Sequence, residues 1–503
     1  MNSNGPEIVD CAAEPIRVPG GIQAHGALVV VDPDSLRVLQ ASANAENLLG
    51  LRLMHGHAAT IHAIPGADVD PMISEMLRWL RAGAETTFLR TARLSRRQMQ
   101  VIGHRTSQGV ILEFEEAPGH EGETLPALYP RLGRFLGTIG SVTEGRVLAE
   151  TAAREIREIT GFNRVLIYSF DEDWNGTVIA EDGDGVFPPY LGLRFPASDI
   201  PAQARELYRL NRLRLIPDAD YLVSPIVPAA SPIDGRPLDL SFAGLRSVSP
   251  VHLQFMRNMG TAASMSISLL VEGRLWGLIS CHNRAPKRVN AQIRAACDLL
   301  GQTLSLQIGA RERDAHASRR IELKRIETAL LAGLAATRSV ESGLAGNPEA
   351  WIGLAGAEGA AVVLEGEVRT AGHTPPAEQL RRLAAWLEDH AAADVFSTHV
   401  LSEHWPEAEA LTETVSGLIA ASISQIRAGW LLWFRPEAAH TVAWGGDPRK
   451  AATPGPDLRI APRRSFEQWQ EPVRRQSRPW SAAEIECAGD FRDAVAALVQ
   501  HRS

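Results

Sequence analysis

Met265 to Val271 (MSISLLV), the tripeptide Glu272-Gly273-Arg274, and Leu275 to His282 (LWGLISCH) are two apolar runs of strand length joined by a tight turn, the pattern of a β-hairpin. A hairpin makes its sheet antiparallel, and Arg164 to Phe170 is a third strand candidate of the same kind. Beyond the hairpin, Ile293, Cys297, Leu300, Leu304 and Ile308 recur at spacings of three and four, and the period continues through Leu323, Leu330 and Leu334. A helix of that length exceeds what one globular domain needs, so it is expected to link two domains and to pair with its copy in a dimer. The expected fold class is α/β of the α+β type, with central antiparallel sheets.

The same alternation extends outward. Towards the N-terminus, Ala27 to Val31 and Val110 to Phe114 read as strands around a helical stretch, Pro71 to Ala82, and Ala117 to Thr124 reads as a boundary loop. Towards the C-terminus, Trp351 to Leu354, Ala361 to Leu364 and Gly429 to Phe434 are strand candidates, and Ala482 to Val499 has a helical period. Between them Trp444 to Trp480 is non-periodic and rich in Pro, Gly and Arg; a connection of that length inside a compact domain is usually functional.

At 503 residues the chain exceeds a single core, and about two to four domains are expected. An apolar fraction of 45% and a charged fraction of 22% argue against disorder. The net charge of -8, with scattered basic residues, excludes a phosphate-neutralising stripe, so nucleic acid is not an expected partner. The start carries no secretory signal and the apolar window Gly417 to Phe434 is interrupted by Gln425 and Arg427, so no membrane partner is expected and the location is read as cytoplasmic. Four widely separated cysteines make neither a metal motif nor a disulfide framework; Cys281, Cys297 and Cys487 read as buried small hydrophobes, whereas Cys11 stands in a polar leader.

Four clusters carry candidate chemistry. In the leader from Cys11 to Gly26, Pro15, Pro19, Gly20 and Gly21 make an ordered, non-helical path, and the thiol is either incidental or placed to reach an electrophile in a neighbouring domain. Asp199 stands between Pro196 and Pro201, where Ser198 or Asp199 caps the following helix, Ala202 to Asn211, or the prolines fix a functional carboxylate. Arg246 and His252, facing Ser264 and Ser266 on one strand face, suit a bound carboxylate, or else mark a helix start with a satisfied histidine. Pro462-Arg463-Arg464-Ser465-Phe466 alone is a solvated loop, and His282 alone a core residue.

Together and in order, Cys11 to Gly26, Pro196 to Tyr208, Arg246 to Gly260, Leu275 to His282, Leu431 to Glu437 and Pro462 to Phe466 resemble the PAS, GAF and PHY domains of bacteriophytochromes over nearly the whole chain. The resemblance implies a PAS domain with an attachment arm over residues 1–118, a bilin-binding GAF domain over 125–315, and a PHY domain over 316–503 with a tongue hairpin at about 444–480. It implies a knotted PAS-GAF junction with Ile22 at the crossing.

The implied cofactor is biliverdin IXα, a linear tetrapyrrole held by a thioether from Cys11 to the ring A vinyl group and isomerised by red light at the C15=C16 bond between rings C and D. The resemblance assigns Asp199 and His252 to the ring nitrogens, Tyr208, Arg214, Arg246, Ser264 and Ser266 to the propionates, and His282, Tyr168, Phe195 and Phe255 to ring D. Ile200 and Ser249 complete the expected bilin contacts. In the tongue, Arg463 is expected to pair with Asp199 in one state and Ser465 to take a related role after ring rotation. The implied partners are a second copy along the helical spine and an output kinase or response regulator. The chain itself is not expected to be an enzyme: no nucleotide loop or activated nucleophile is found, and the output domain of relatives would begin after Ser503.

Three positions depart from the pattern: Ala24 stands where proline is common, Asn283 where a second histidine is common, and Phe255 where tyrosine is usual. A pigment-free regulatory module binding a small ligand is the rival that the leader cysteine and tongue argue against.

Overall fold

The computed structural model describes residues 14–51, 59–83, 87–117, 124–142, 144–337, 339–391, 393–423, 429–449, 453–454, 460–461 and 466–502. Cys11, Arg463 and Ser465, which carry expected roles, lie outside the described residues. Packing divides the chain into two compact units, Met1–Gly309 with Ala443–Trp469, and Ala310–Val442 with Gln470–Ser503.

In the first unit the strands are β1 (Gly21–Gln23), β2 (Gly26–Val31), β3 (Val38–Ser42), β4 (Phe88–Leu94), β5 (Arg97–Thr106), β6 (Gly109–Glu116), β7 (Arg164–Phe170), β8 (Gly176–Gly183), β9 (Arg194–Phe195), β10 (Leu213–Ile216), β11 (Val223–Val227), β12 (Ala263–Val271) and β13 (Arg274–Asn283). One sheet has the order β1-β11-β3-β2-β6-β5-β4. Its central strand β2 is apolar throughout because both faces are covered: Val29 and Val31 pack with residues of the Val69–Arg81 helix, and Leu28 and Val30 pack with Leu238, Leu240 and Leu245. The sequence reading did not find β11. That strand places a segment of the region expected to be the second domain in the N-terminal sheet, so packing joins the first two expected domains in one unit. Ile22 pairs with Ser224 on one side and bridges Arg246 on the other. The Gln23 N–H donates to the Leu245 carbonyl at 2.8 Å, and Gly21 accepts from the Ser247 N–H at 3.1 Å.

The second sheet runs β10-β12-β13-β7-β8-β9, and Trp444 adds a parallel pair with Arg194 at its edge. The expected hairpin is β12-β13, and positive φ at Glu272 (51°) and Gly273 (76°) gives its turn the primed form that matches strand twist. Alternation sends Met265, Ile267, Ile279, Cys281, Val165 and Ile167 to a core shared with the helices Leu125–Ser141, Gly145–Thr160 and the start of Ala291–Ala335. A bulge beside Ile167/Tyr168 lets Ala180 join that core while Val178 faces the other side.

Ala291–Ala335 is one helix of 45 residues, as its period predicts. Ile293 to Leu304 pack in the first unit, and Leu323, Leu330 and Leu334 belong to the core of the second. The second unit has a five-stranded antiparallel sheet in the spatial order Glu367–Gly372, Gly359–Leu364, Gly429–Arg435, Gly417–Ser422, Val395–Thr398. Trp351 to Leu354, expected as a strand, is instead part of a helical turn, Pro348–Gly353. Asn347 caps it by accepting from the Ala350 N–H at 3.3 Å, and Pro348 suits its first position. The segment expected as the tongue contains the paired strands Thr453–Pro454 and Ile460–Ala461 and the strand Gln468–Val473. Among the described residues no helix is long and apolar enough to cross a membrane.

Candidate functional site

A cavity of about 670 Å³ lies against the second sheet, within the range of about 300–1,000 Å³ usual for small-molecule sites. Every described residue assigned a cofactor contact lines it: Tyr168, Phe195, Asp199, Ile200, Tyr208, Arg214, Arg246, Ser249, His252, Phe255, Ser264, Ser266 and His282. The sheet register explains the grouping. Arg214 lies opposite Ser266, which lies opposite Ser280; Ile216 lies opposite Ser264, which lies opposite His282. The polar side chains thus form two transverse rows on the face that alternation turns away from the helical core.

The facing wall is the turn Ala197–Asp199 with the helices Ala202–Leu210 and Pro250–Asn258. The cap alternative for Ser198 and Asp199 does not hold: Pro201 occupies the N-cap position and no side chain caps that helix. Ser249 does cap its helix, accepting from the Val251 and His252 N–H groups at 3.2 and 3.5 Å. Its hydroxyl donates to Glu14 at 2.5 Å, so the arm three residues beyond Cys11 is tied to the cavity wall.

Two arginines of the cavity stand without counter-charges among the described residues. Arg214 and Arg246 are both buried, and among the described residues no carboxylate forms an ion pair with either. Arg214 donates to the Arg246 and Gly244 carbonyls, while Arg246 Nη1 is buried without a hydrogen-bond partner. Burial, and then the neighbouring Arg214 charge, lower the Arg246 pKa to about 9. Two buried guanidinium groups in this state fit a ligand that brings anionic oxygens.

His252 is lowered to about 4 by burial and then by Arg214. It is therefore neutral near pH 7, able to accept at one ring nitrogen and donate at the other. Between about pH 6.5 and 4 the unfolded chain binds a proton at this position that the folded protein does not. Stability is present in full above 6.5 and is lost as pH falls through that window; His25 and His104, also lowered to about 4, act in the same sense. In His252→Gln the proton uptake on unfolding near pH 5, read from the slope of stability against pH, is expected to fall by about one proton. An unchanged slope contradicts this.

On β13, His282 Nδ1 is 2.9 Å from Arg164 Nη2, and His282 Nε2 is 3.0 Å from Ser280 Oγ. Tyr168 packs beside Phe195 with ring centroids 5.9 Å apart. Phe255 stacks on His252 and meets Phe466 edge-on at 5.1 Å, and Pro448 from the same segment also lines the cavity. Sequence reasoning missed Arg164, Tyr190 and Ser280. Ser280 was within reach of the period-two rule, standing two residues before His282; Tyr190 has no local signal.

The described thiols are poor nucleophiles. Cys281 faces the core, not the cavity, and burial raises its pKa well above the usual value and pushes those of Cys297 and Cys487 up to about 12. At pH 7 a thiol of pKa 12 is thiolate in only about one molecule in 10⁵.

Family models match in order: a PAS fold over residues 11–117, a GAF domain over 145–311 and a phytochrome region over 323–503. The sequence is 37% identical to cyanobacterial phytochrome B of Nostoc sp. strain PCC 7120, over 99% of this chain and 67% of that protein. Two solved structures align with a TM-score of 0.85: a bacteriophytochrome of the photosynthetic bacterium R. palustris, 39% identical over 97% of this chain and 99% of that one, and the photosensory core module of the Stigmatella aurantiaca phytochrome, 40% identical over 98% and 99%. The chain spans about two thirds of the length of the first curated relatives it matches.

Proposed function

Because the chain belongs to the phytochrome family, a family of light-sensing proteins with a bilin-binding PAS-GAF-PHY module, we propose that its cavity holds biliverdin IXα, joined by a thioether to Cys11, and that it serves as a red/far-red photoreceptor. The observation that carries this reading is the pair of guanidinium residues Arg214 and Arg246, both buried, both in the cavity lining and neither ion-paired to a carboxylate among the described residues. They match the two propionates of a tetrapyrrole, and Tyr208, Ser264 and Ser266 stand in the same lining. When bound, the pigment supplies absorption of red light and isomerisation about its C15=C16 bond.

The residues divide the remaining work. Neutral His252 and Asp199 take the ring nitrogens, and His282 with the Tyr168 and Phe195 rings in the same lining takes ring D. Glu14 is held at the wall by Ser249, which leaves Cys11 on a tether of three residues, at most about 10 Å of chain. Ile22, paired with Ser224 of β11 on one side and bridged to Arg246 on the other, would be the crossing point of a knotted arm. Arg463 of the tongue would pair with Asp199 in one state and Ser465 would take a related role in the other, so that an exchange of these partners would bias the fold of the tongue, and the Ala291–Ala335 helix would carry the change to a second copy and to an output kinase or response regulator. The sensory chain itself does no catalysis in this scheme, and it works in the cytoplasm.

Incubating the purified protein with biliverdin and denaturing it tests the attachment: pigment stays on the wild-type chain and is lost entirely from Cys11→Ser. Retention by Cys11→Ser contradicts the assignment. Phe255→Tyr adds a hydroxyl to a ring of the cavity lining that contacts His252 and Phe466 and is expected to shift the absorption band or the lifetime of the light-induced state. No change in either removes Phe255 from the tuning of the pigment.

A further inference from the structure

Arg164 is the most deeply buried charged residue beside the cavity, with 1% of its surface exposed. It stands on β7 directly opposite His282 on β13. Its guanidinium is caged: Nη1 donates to the Pro188 carbonyl at 2.8 Å, the plane lies 4.0 Å from the Tyr190 ring and 4.7 Å from the Phe187 ring, and Glu181 is 3.9 Å away. Glu181 is itself fixed by the Tyr190 and Leu191 N–H groups at 2.7 and 2.8 Å.

A guanidinium has donors and no acceptor. The 2.9 Å contact between Arg164 Nη2 and His282 Nδ1 therefore requires a lone pair on Nδ1, and a neutral imidazole with that lone pair carries its hydrogen on Nε2. Nε2 is the nitrogen next to Ser280 on the cavity wall. We propose that Arg164 is a positioning residue that locks His282 as the Nε2–H tautomer, so that this end of the cavity presents a hydrogen-bond donor and selects a ligand carbonyl there. The proposal rests on the bilin reading for the identity of that carbonyl, the one on ring D, but not for the tautomer. Burial, followed by the charge of Arg164 and the nearness of His252, keeps His282 neutral, so no second proton competes for Nδ1. Without Arg164 the tautomer becomes free, and the Nδ1–H form would turn a lone pair towards a carbonyl oxygen.

Nitrogen NMR on ¹⁵N-histidine-labelled protein without pigment tests the lock directly, with the His282 signals assigned by their loss in His282→Ala. Wild type should show Nδ1 unprotonated and Nε2 protonated. In Arg164→Met the bias should drop by about tenfold or more, the worth of one charge-assisted hydrogen bond, and Arg164→Lys should recover part of it. A wild-type Nδ1–H tautomer, or an unchanged ratio in Arg164→Met, overturns the proposal; should Arg164→Met not fold, the wild-type tautomer and Arg164→Lys decide it. In pigment-loaded protein Arg164→Met should shift the red band and add no further shift to His282→Ala, whereas additive shifts would show Arg164 acting by another route. A colourless wild type would defeat the bilin reading and leave the tautomer result standing.

Discussion

Arg246→Met is expected to weaken biliverdin binding by about 10- to 100-fold while leaving the thermal midpoint of the pigment-free protein unchanged or raised. The two halves of this expectation have one cause. Arg246 is buried beside Arg214 with no ion-pairing carboxylate among the described residues, and its Nη1 has no partner, so in the protein alone the charge is a cost. An apolar side chain of similar length removes that cost and the repulsion with Arg214. With a propionate in place the same guanidinium makes charge-assisted hydrogen bonds, which are the strong kind. Titrating pigment into a Cys11→Ser background reads the equilibrium without the covalent step. A lowered midpoint with unchanged affinity would mean that Arg246 serves the fold and not a ligand.

Gly277→Ala should damage both the fold and the site, because the added methyl group meets backbone of the neighbouring strand. An added Cβ would stand 2.1 Å from the Tyr168 carbonyl oxygen and 3.3 Å from Ser169 Cα. These are backbone atoms, so no rotamer change relieves the clash; β13 and β7 must move apart. The two strands carry Arg164, Tyr168, Ser280 and His282, so the loss of stability and the loss of the site come together. The expected cost is about 3 kcal/mol or more, which in a unit of this size lowers the midpoint by at least about 4 °C, with pigment uptake reduced in step. A midpoint within about 2 °C of wild type contradicts the close approach of the strands.

Features governed by local periodicity were legible before the structure. The hairpin at Glu272-Gly273 and the helix through Leu334 follow from alternation and from three- and four-residue spacing, and both are present. Elements whose formation depends on distant partners were not. Strand β11 has Pro225 in its middle and exposed Val223 and Val227 at its ends, and only pairing with Gly21–Gln23 and with Ala41 and Ser42 of β3, roughly 200 positions earlier, makes it a strand. The helix Leu125–Ser141, to which the sequence reading gave no element, carries Pro130 and three glycines, residues that weaken a helical signal, and it packs with Gly145–Thr160 in one core. Trp351 to Leu354 was misread because four apolar residues have no diagnostic period; the Asn347-Pro348 start was the signal to weigh. The cavity was legible residue by residue through its resemblance, and the register of β10, β12 and β13 supplies the physical reason those residues converge. Arg164 escaped notice since a charge at the head of an apolar strand looks like its flank, and its partner His282 is 118 positions away.

The absorption spectrum of the biliverdin-reconstituted protein, recorded in darkness and after illumination, bears most directly on whether the buried arginines and neutral histidines enclose a photoactive tetrapyrrole. A strong red or far-red band that light of one colour moves and light of the other restores is the predicted result. A spectrum identical to that of free pigment, or a bound band that no illumination displaces, would contradict it.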